Sequence, residues 1–240
     1  MRKISKLPLY ASIQRQIAQK VTSGKKYEDL TAKQKCSIRS KLLESQKYLC
    51  CYCECRIYVE QGKKNCHIEH FFEQSDFRMQ GASGQSNFTH NIHSLDYIGM
   101  LASCEGDKDP IPDKDEKLVR RDNISCGHRK GQKEAIDYTL LLNPQDDISH
   151  LFSYLDGHIS AADNCTDDEK KKVEYTIEIL NLNCKKLEGR RIAIIMTLLN
   201  ERNLNAEDFK KTLPTFLNED QEKLPPFFST LKENFSFLLP

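Results

Sequence analysis

Four cysteines within six residues, Cys50, Cys51, Cys53 and Cys55, constrain this chain more than any other feature. Ten cysteines spread over 240 residues are too few for a disulfide scaffold. In a reducing compartment a cluster of this kind holds metal instead. Structural zinc takes four soft ligands in a tetrahedron, and two knuckles separated by other structure usually supply them. Cys50-x-x-Cys53 has the spacing of one knuckle, and Cys104 with Cys126 is expected to complete the site. Cys51-x-x-x-Cys55 is a competing clamp that spacing alone does not eliminate. Cys36, Cys165 and Cys184 lie apart, in helical-looking segments, and are expected to be buried free thiols.

The stretch after the cluster carries titratable groups suited to hydrolysis. Cys66-His67-Ile68-Glu69-His70-Phe71 reads as a strand, and Cys126-Gly127-His128-Arg129-Lys130-Gly131 as the start of a helix. Phosphodiester hydrolysis needs a base for the water and a cation on the non-bridging oxygen. An imidazole near its ordinary pKa takes a proton at neutral pH, and His70 is assigned that role. Glu69 and His128 are assigned to a divalent ion, Mg²⁺ or Mn²⁺. Neighbours on a regular strand face opposite ways, so Glu69 and His70 serve one site only if the strand ends or twists there. His67 reads as a pairing or surface histidine, as do His90 and His93. Arg129, Lys130 and Lys133, at or after the expected helix start, are candidate phosphate contacts.

Charge is unevenly distributed. Residues 1–64 hold fifteen Lys or Arg against five Asp or Glu, a net of +10, and the remainder sums to −9. A basic amino-terminal third suits either a phosphate backbone or a solvated helical surface. The densest apolar run, Ile192 to Met196, is too short to span a bilayer. The amino terminus lacks the apolar stretch of a secretory signal, so a cytoplasmic protein without membrane contact is expected.

The pattern divides the chain into three parts: a basic helical segment at 1–49, a zinc-stapled core at 50–135 and a mostly helical extension at 136–240. Helices are expected over 9–22 and over 31–49, the second capped by Thr31. Residues 55–59 and 66–71 suggest strands about the turn at 61–64, and 95–103 suggests a short apolar helix. Polar excursions fill 73–94 and 105–122. A hairpin is expected around Asp156-Gly157. Thr166 to Glu169 forms a capping box ahead of a stripe of Val173, Ile177 and Leu180. A further helix sets Leu187, Ile194, Ile195 and Leu198 opposite Arg190 and Arg191. The apolar end, Leu224 to Leu239, is expected to dock on the chain's own core.

Taken together, several of these residues resemble a known family. They are Gln46-x-x-x-Cys50-x-Tyr52-Cys53-Glu54, Ile68-Glu69-His70-Phe71, Asp96-Tyr97 with Leu101-x-Ser103-Cys104, and Cys126-x-His128-x-Lys130-Gly131. In this order they resemble the HNH endonucleases, and more narrowly the PtuB-type nucleases of Septu and some retron anti-phage systems. The resemblance covers roughly residues 36–160. It implies an α+β fold with a ββα-metal core, His70 as general base, and catalytic metal on Glu69 and His128. It also implies structural Zn²⁺ on the four cysteines and a partner ATPase of the PtuA type. The family usually carries an asparagine where this chain has Gly99, which bears on how well His70 is positioned. Three functions follow: a nuclease acting on DNA, the favoured reading; the same site acting on RNA such as tRNA; or an inactive zinc-stapled binding module.

Overall fold

The computed structural model describes residues 1–60, 63–72, 77–78, 91–92, 94–106 and 122–239. Helices alternate with short antiparallel strand pairs, giving a mixed α and β architecture. Among the described residues no helix is long and apolar enough to cross a membrane.

Helix α1 (Ala11–Thr22) and helix α2 (Ala32–Ser45) form the amino-terminal part. Thr31 caps α2 through a capping box with Gln34, while Ile38, Leu42 and Leu43 form its buried face. The helix stops at Ser45 rather than Leu49. Lys47 and Tyr48 both take positive φ, a left-handed break that turns the chain into the cysteine cluster. Cys36, expected to be buried, is exposed on α2.

Strands β1 (Val59–Glu60) and β2 (Lys63–Lys64) form a small hairpin, and strand β3 (Cys66–His70) follows. The partner of β3 corrects the sequence reading. It pairs with strand β4 (Met100–Cys104), in register from Cys66 opposite Cys104 to His70 opposite Met100. The segment 95–103, read as a helix, is a short 3₁₀ turn at Tyr97–Gly99 followed by this strand. All five β4 residues are buried, so the strand lacks the apolar–polar alternation that marks a half-exposed one. The excursions expected at 73–94 and 105–122 lie largely outside the described residues, as do His90 and His93.

Helix α3 (Cys126–Lys130) lies against this strand pair. Beyond it, strands β5 (Phe152–Ser153) and β6 (Ser160–Ala161) make the expected hairpin around residue 157. Helices α4 (Asp167–Leu180), α5 (Lys185–Leu204), α6 (Ala206–Phe216) and α7 (Phe228–Phe235) complete the chain. The Thr166–Glu169 capping box starts α4 as expected. On α5 one assignment reverses: Arg190 is exposed, but Arg191 is only 1% exposed. Its guanidinium donates to the carbonyl oxygens of Gly157 and Leu182 and to Asn183 Oδ1, which makes burial of the charge tolerable.

The carboxy-terminal segment docks on the chain, with Leu224, Phe227, Phe228, Leu231 and Phe235 all buried. Glu54, beside the knuckle, anchors it. The Glu54 carboxylate accepts from the Ser229 N–H at 2.7 Å and the Ser229 hydroxyl at 2.6 Å, and its carbonyl accepts from Phe227 N–H at 2.8 Å. Removing a buried acceptor leaves donors unsatisfied at about 1–3 kcal/mol each. Glu54→Ala is therefore expected to lower unfolding free energy by at least about 2 kcal/mol, measured by urea denaturation.

Candidate active site and metal centre

The turn that presents the cysteines is held from two sides. Cys50 N–H donates to the carbonyl of Cys55 and Glu54 N–H to that of Cys50, closing a tight knuckle with Glu54 at φ +61. The fully buried side chain of Gln46 clamps the knuckle to β4. Its Oε1 accepts from Ala102 N–H at 2.7 Å, and its Nε2 donates to the carbonyls of Leu49 and Ala102, each at 2.8 Å.

Cys50, Cys53, Cys104 and Cys126 converge, all buried, with their sulfurs within 4.8 Å of one another. Cys53 Sγ and Cys104 Sγ are 3.8 Å apart. A tetrahedron with zinc–sulfur arms of about 2.3 Å has edges of about 3.8 Å, so the donor set fits zinc in chemistry and spacing. The Cys104 thiol is held down at about 6, chiefly by hydrogen bonding from Cys126. Burial, with Cys50 adding to it, pushes the Cys51 thiol well up, but Cys53 and Cys126 are raised as well, so the convergence of sulfurs and not thiol acidity sets Cys51 apart. Cys126 adopts φ +57, which a non-glycine residue takes only where surrounding contacts enforce it.

Strand alternation then sorts the candidate catalytic groups. His67 and Glu69 are two apart on β3 and share the face that receives α3. The approach is close at Gly127, where any added side chain would push Glu69 and His67 aside. A Cβ there would meet Glu69 Oε2 at 2.5 Å and His67 Nε2 at 2.8 Å. His128, the next residue, brings its ring to 4.3 Å from that of His67. Glu105, just past β4, places Oε2 at 3.1 Å from His128 Nε2 and Oε1 at 3.9 Å from His67 Nδ1. His67, Glu105 and His128 thus form a second group able to hold a metal, with one donor atom from each lying within 4.8 Å of the others. His67 Nδ1 is buried and has no hydrogen-bond partner, while His67 Nε2 lies 3.4 Å from Glu69 Oε2. An imidazole held by a carboxylate at one nitrogen and open at the other is the arrangement of a metal-ligating histidine.

Glu69, assigned from sequence as a ligand, is instead enclosed. Lys130 Nζ lies 2.8 Å from its Oε1, and the Tyr52 hydroxyl donates to the same oxygen at 3.3 Å. Burial opposes its ionisation, but His67 and Lys130 outweigh that and hold its pKa below the usual carboxylate value. Glu69→Gln should weaken divalent-metal affinity by about 10–100-fold, as loss of an outer-shell partner does; isothermal titration with Mn²⁺ measures it.

His70 projects away from the His67 face. Its Nε2 is 3.0 Å from the carbonyl oxygen of Ser94, and its ring meets Tyr27 edge-on at 4.7 Å. Burial is the main cause lowering its pKa, so the imidazole is neutral at pH 7. With Nε2–H donating to the carbonyl, the basic lone pair resides on Nδ1. At the position where the family usually has asparagine, Gly99 contributes its carbonyl, which accepts from Phe71 N–H at 2.9 Å just past His70.

Of the three expected phosphate contacts, Lys130 is 6% exposed and spends its ammonium on Glu69 and on the carbonyls of His70 and Phe71. Arg129 and Lys130 also occupy the last turn of α3, not its start. Lys133 lines a cavity of about 630 Å³ together with His67, Glu69, His70, His128 and Lys130. Sequence reading missed His67 and Glu105 as possible ligands. The i,i+2 spacing of His67 and Glu69 was a usable signal, whereas Glu105 joins them only through the β3–β4 register.

No family model matches the chain. An Escherichia coli protein provisionally named the HNH endonuclease of retron Ec83 is 26% identical over 228 residues, covering 82% of this chain and 78% of that protein.

Proposed function

We propose that this chain is a metal-dependent nuclease whose cation is held by His67, Glu105 and His128 on a zinc-stapled ββα-metal unit formed by β3, β4 and α3. Through its relative the chain is an enzyme of the HNH endonuclease type, a hydrolase acting on nucleic acid. The observation that carries the metal assignment is the buried, unpartnered Nδ1 of His67 facing Glu105 and His128.

A bound divalent ion supplies Lewis acidity at the phosphoryl oxygen and makes its water more acidic. Glu69 fixes the tautomer of His67 by accepting at Nε2, so that Nδ1 is the ligating atom. Lys130 holds Glu69 in place and pins the strand end through the His70 and Phe71 carbonyls. His70 leaves β3 on the other face but lines the same cavity as His67 and His128, and, neutral with its acceptor on Nδ1, it is the general base of this reading. Two imidazoles and one carboxylate suit a transition ion better than Mg²⁺, which prefers oxygen donors. Cleavage is therefore expected to be faster with Mn²⁺.

DNA is the favoured substrate and RNA the alternative, since attack by water needs no 2′-hydroxyl and is open to both. The resemblance to PtuB-type nucleases and the retron in the relative's name support work beside a PtuA-type ATPase in anti-phage defence. The test is incubation of purified protein, alone and with such an ATPase, with plasmid DNA and with total tRNA, adding Mn²⁺, Mg²⁺ or EDTA. Cleavage of DNA that EDTA abolishes is the expected result. Cleavage confined to tRNA would move the substrate to RNA, and no cleavage in any arm would leave a zinc-stapled binding module. His70→Ala is expected to abolish cleavage with zinc content unchanged; retained cleavage would move the base elsewhere.

A further inference from the structure

The basic amino-terminal segment, which lies outside the zinc-stapled unit, reaches the base of the proposed reaction. Between α1 and α2 the chain makes a 3₁₀ turn at Tyr27–Asp29. The Tyr27 ring meets the His70 imidazole edge-on, with centroids 4.7 Å apart and planes at 83°. Tyr27 also bears on His70 by a second route. Its N–H donates to Ser94 Oγ at 3.2 Å, and the carbonyl of the same buried serine stands 3.0 Å from His70 Nε2. One residue thus contacts both the ring of the base and the residue whose carbonyl receives that ring's nitrogen.

The turn is itself tethered to both flanking helices. Asp29 Oδ2 accepts from Lys26 N–H at 2.8 Å, closing the turn. Lys20 of α1 donates from Nζ to the Asp29 carbonyl at 2.7 Å. Lys35 of α2 places Nζ 4.8 Å from the centre of the Tyr27 ring, a cation–π contact that fixes the ring on the side of α2. Part of the segment's positive charge is therefore used to hold Tyr27.

An imidazole turns about its Cβ–Cγ bond between broad wells related by a half-turn, which exchange the sides on which its nitrogens lie. A carbonyl at Nε2 selects the tautomer protonated there, and an aromatic edge against the ring restricts the rotation. We infer that Tyr27 is a positioning residue for His70: its ring, and its N–H acting through Ser94, hold the imidazole in one orientation and as the Nε2–H tautomer. The inference rests on the nuclease reading above, in which His70 takes the proton of the attacking water, and it adds what aims that base.

The test compares Tyr27→Ala, Tyr27→Leu and Tyr27→Phe with the unsubstituted protein, in cleavage of plasmid DNA and of total tRNA with Mn²⁺ under the conditions given above. Zinc content, melting temperature and Mn²⁺ affinity are measured on each. Tyr27→Ala should lower kcat roughly ten- to a hundredfold, as a small misplacement of a reacting group does, with KM within about twofold. Tyr27→Leu, which keeps apolar bulk without a flat ring, should lose as much, and it decides the matter if the alanine variant melts early. Tyr27→Phe keeps the ring edge and the N–H and should restore most of the lost kcat. Leucine-variant kcat within about twofold of the unsubstituted value overturns the proposal. So does a loss that phenylalanine does not rescue, or one that follows Mn²⁺ affinity or melting temperature. A second readout needs no cleavage. The ¹⁵N shifts of the His70 ring, assigned against His70→Ala and recorded well above the ordinary histidine pKa, should show the Nε2–H tautomer in the unsubstituted protein and a mixture in Tyr27→Leu. If the unsubstituted protein cleaves neither nucleic acid, the nuclease reading falls; an unchanged tautomer in Tyr27→Leu overturns the positioning role by itself.

Discussion

Cys53→Ser is expected to yield a protein that retains no zinc and does not fold to a cooperative native state. The four sulfurs connect three places remote in sequence: the knuckle at 50–53, the end of β4 and the first residue of α3. Structural zinc in small tetrathiolate or mixed sites contributes roughly 10–16 kcal/mol of apparent binding free energy, which is coupled to folding. That exceeds much of the net stability of an ordinary domain, about 5–15 kcal/mol. A serine hydroxyl is a poor substitute for a thiolate, so most of the contribution is lost with one ligand. Plasma mass spectrometry and a thermal melt check this together. A Cys53→Ser protein with one zinc per chain and an unchanged melting temperature would transfer the ligand role to Cys51 or Cys55. Prolonged chelation of the unsubstituted protein should produce the same unfolding.

The second large effect is expected at His128. It alone among the three candidate ligands was singled out in the sequence, and it contacts both others, His67 by ring packing and Glu105 at 3.1 Å. Its side chain is partly exposed toward the cavity, so truncation leaves little of the core disturbed. His128→Ala should lower the cleavage rate by about 10³-fold or more, because a metal ion supplies several kcal/mol of transition-state stabilisation and each 1.36 kcal/mol is tenfold. Zinc content and melting temperature should stay near those of the unsubstituted protein, which separates this centre from the cysteines. His67→Ala should resemble His128→Ala in metal affinity. If it binds Mn²⁺ as well as the unsubstituted protein does, the ligand set is not the one drawn here.

The parts legible in the sequence were those fixed by local chemistry. Thr31 and Thr166 announce their helices through capping boxes, and the helix stripe through Val173 and Leu180 shows its buried face. The gathering of four specific cysteines, out of ten, was legible from the knuckle spacing and from the resemblance together. What escaped depended on pairing between distant segments. The strand Met100–Cys104 looks helical until its partner is known, because burial on both faces erases the alternation. Glu105 acquires a role only when that register brings it beside His67 and His128. Arg191 looked like a surface cation, since three carbonyl-type acceptors supplied by residues 157, 182 and 183 are invisible along one helix. Lys130 misled in the same way: its basic neighbours suggest a phosphate contact, and only the fold reveals a buried partner in Glu69.

The carboxylate of Glu54 also accepts from the backbone N–H of Arg2 at 2.9 Å, so the segments about Arg2 and Ser229 meet on the residue next to Cys53 of the buried cysteine set. Removing either segment in an expression clone would therefore uncap the knuckle and expose its sulfurs to oxidants. A clone covering only the central segment should lose its ion faster to a competing chelator than the intact chain does.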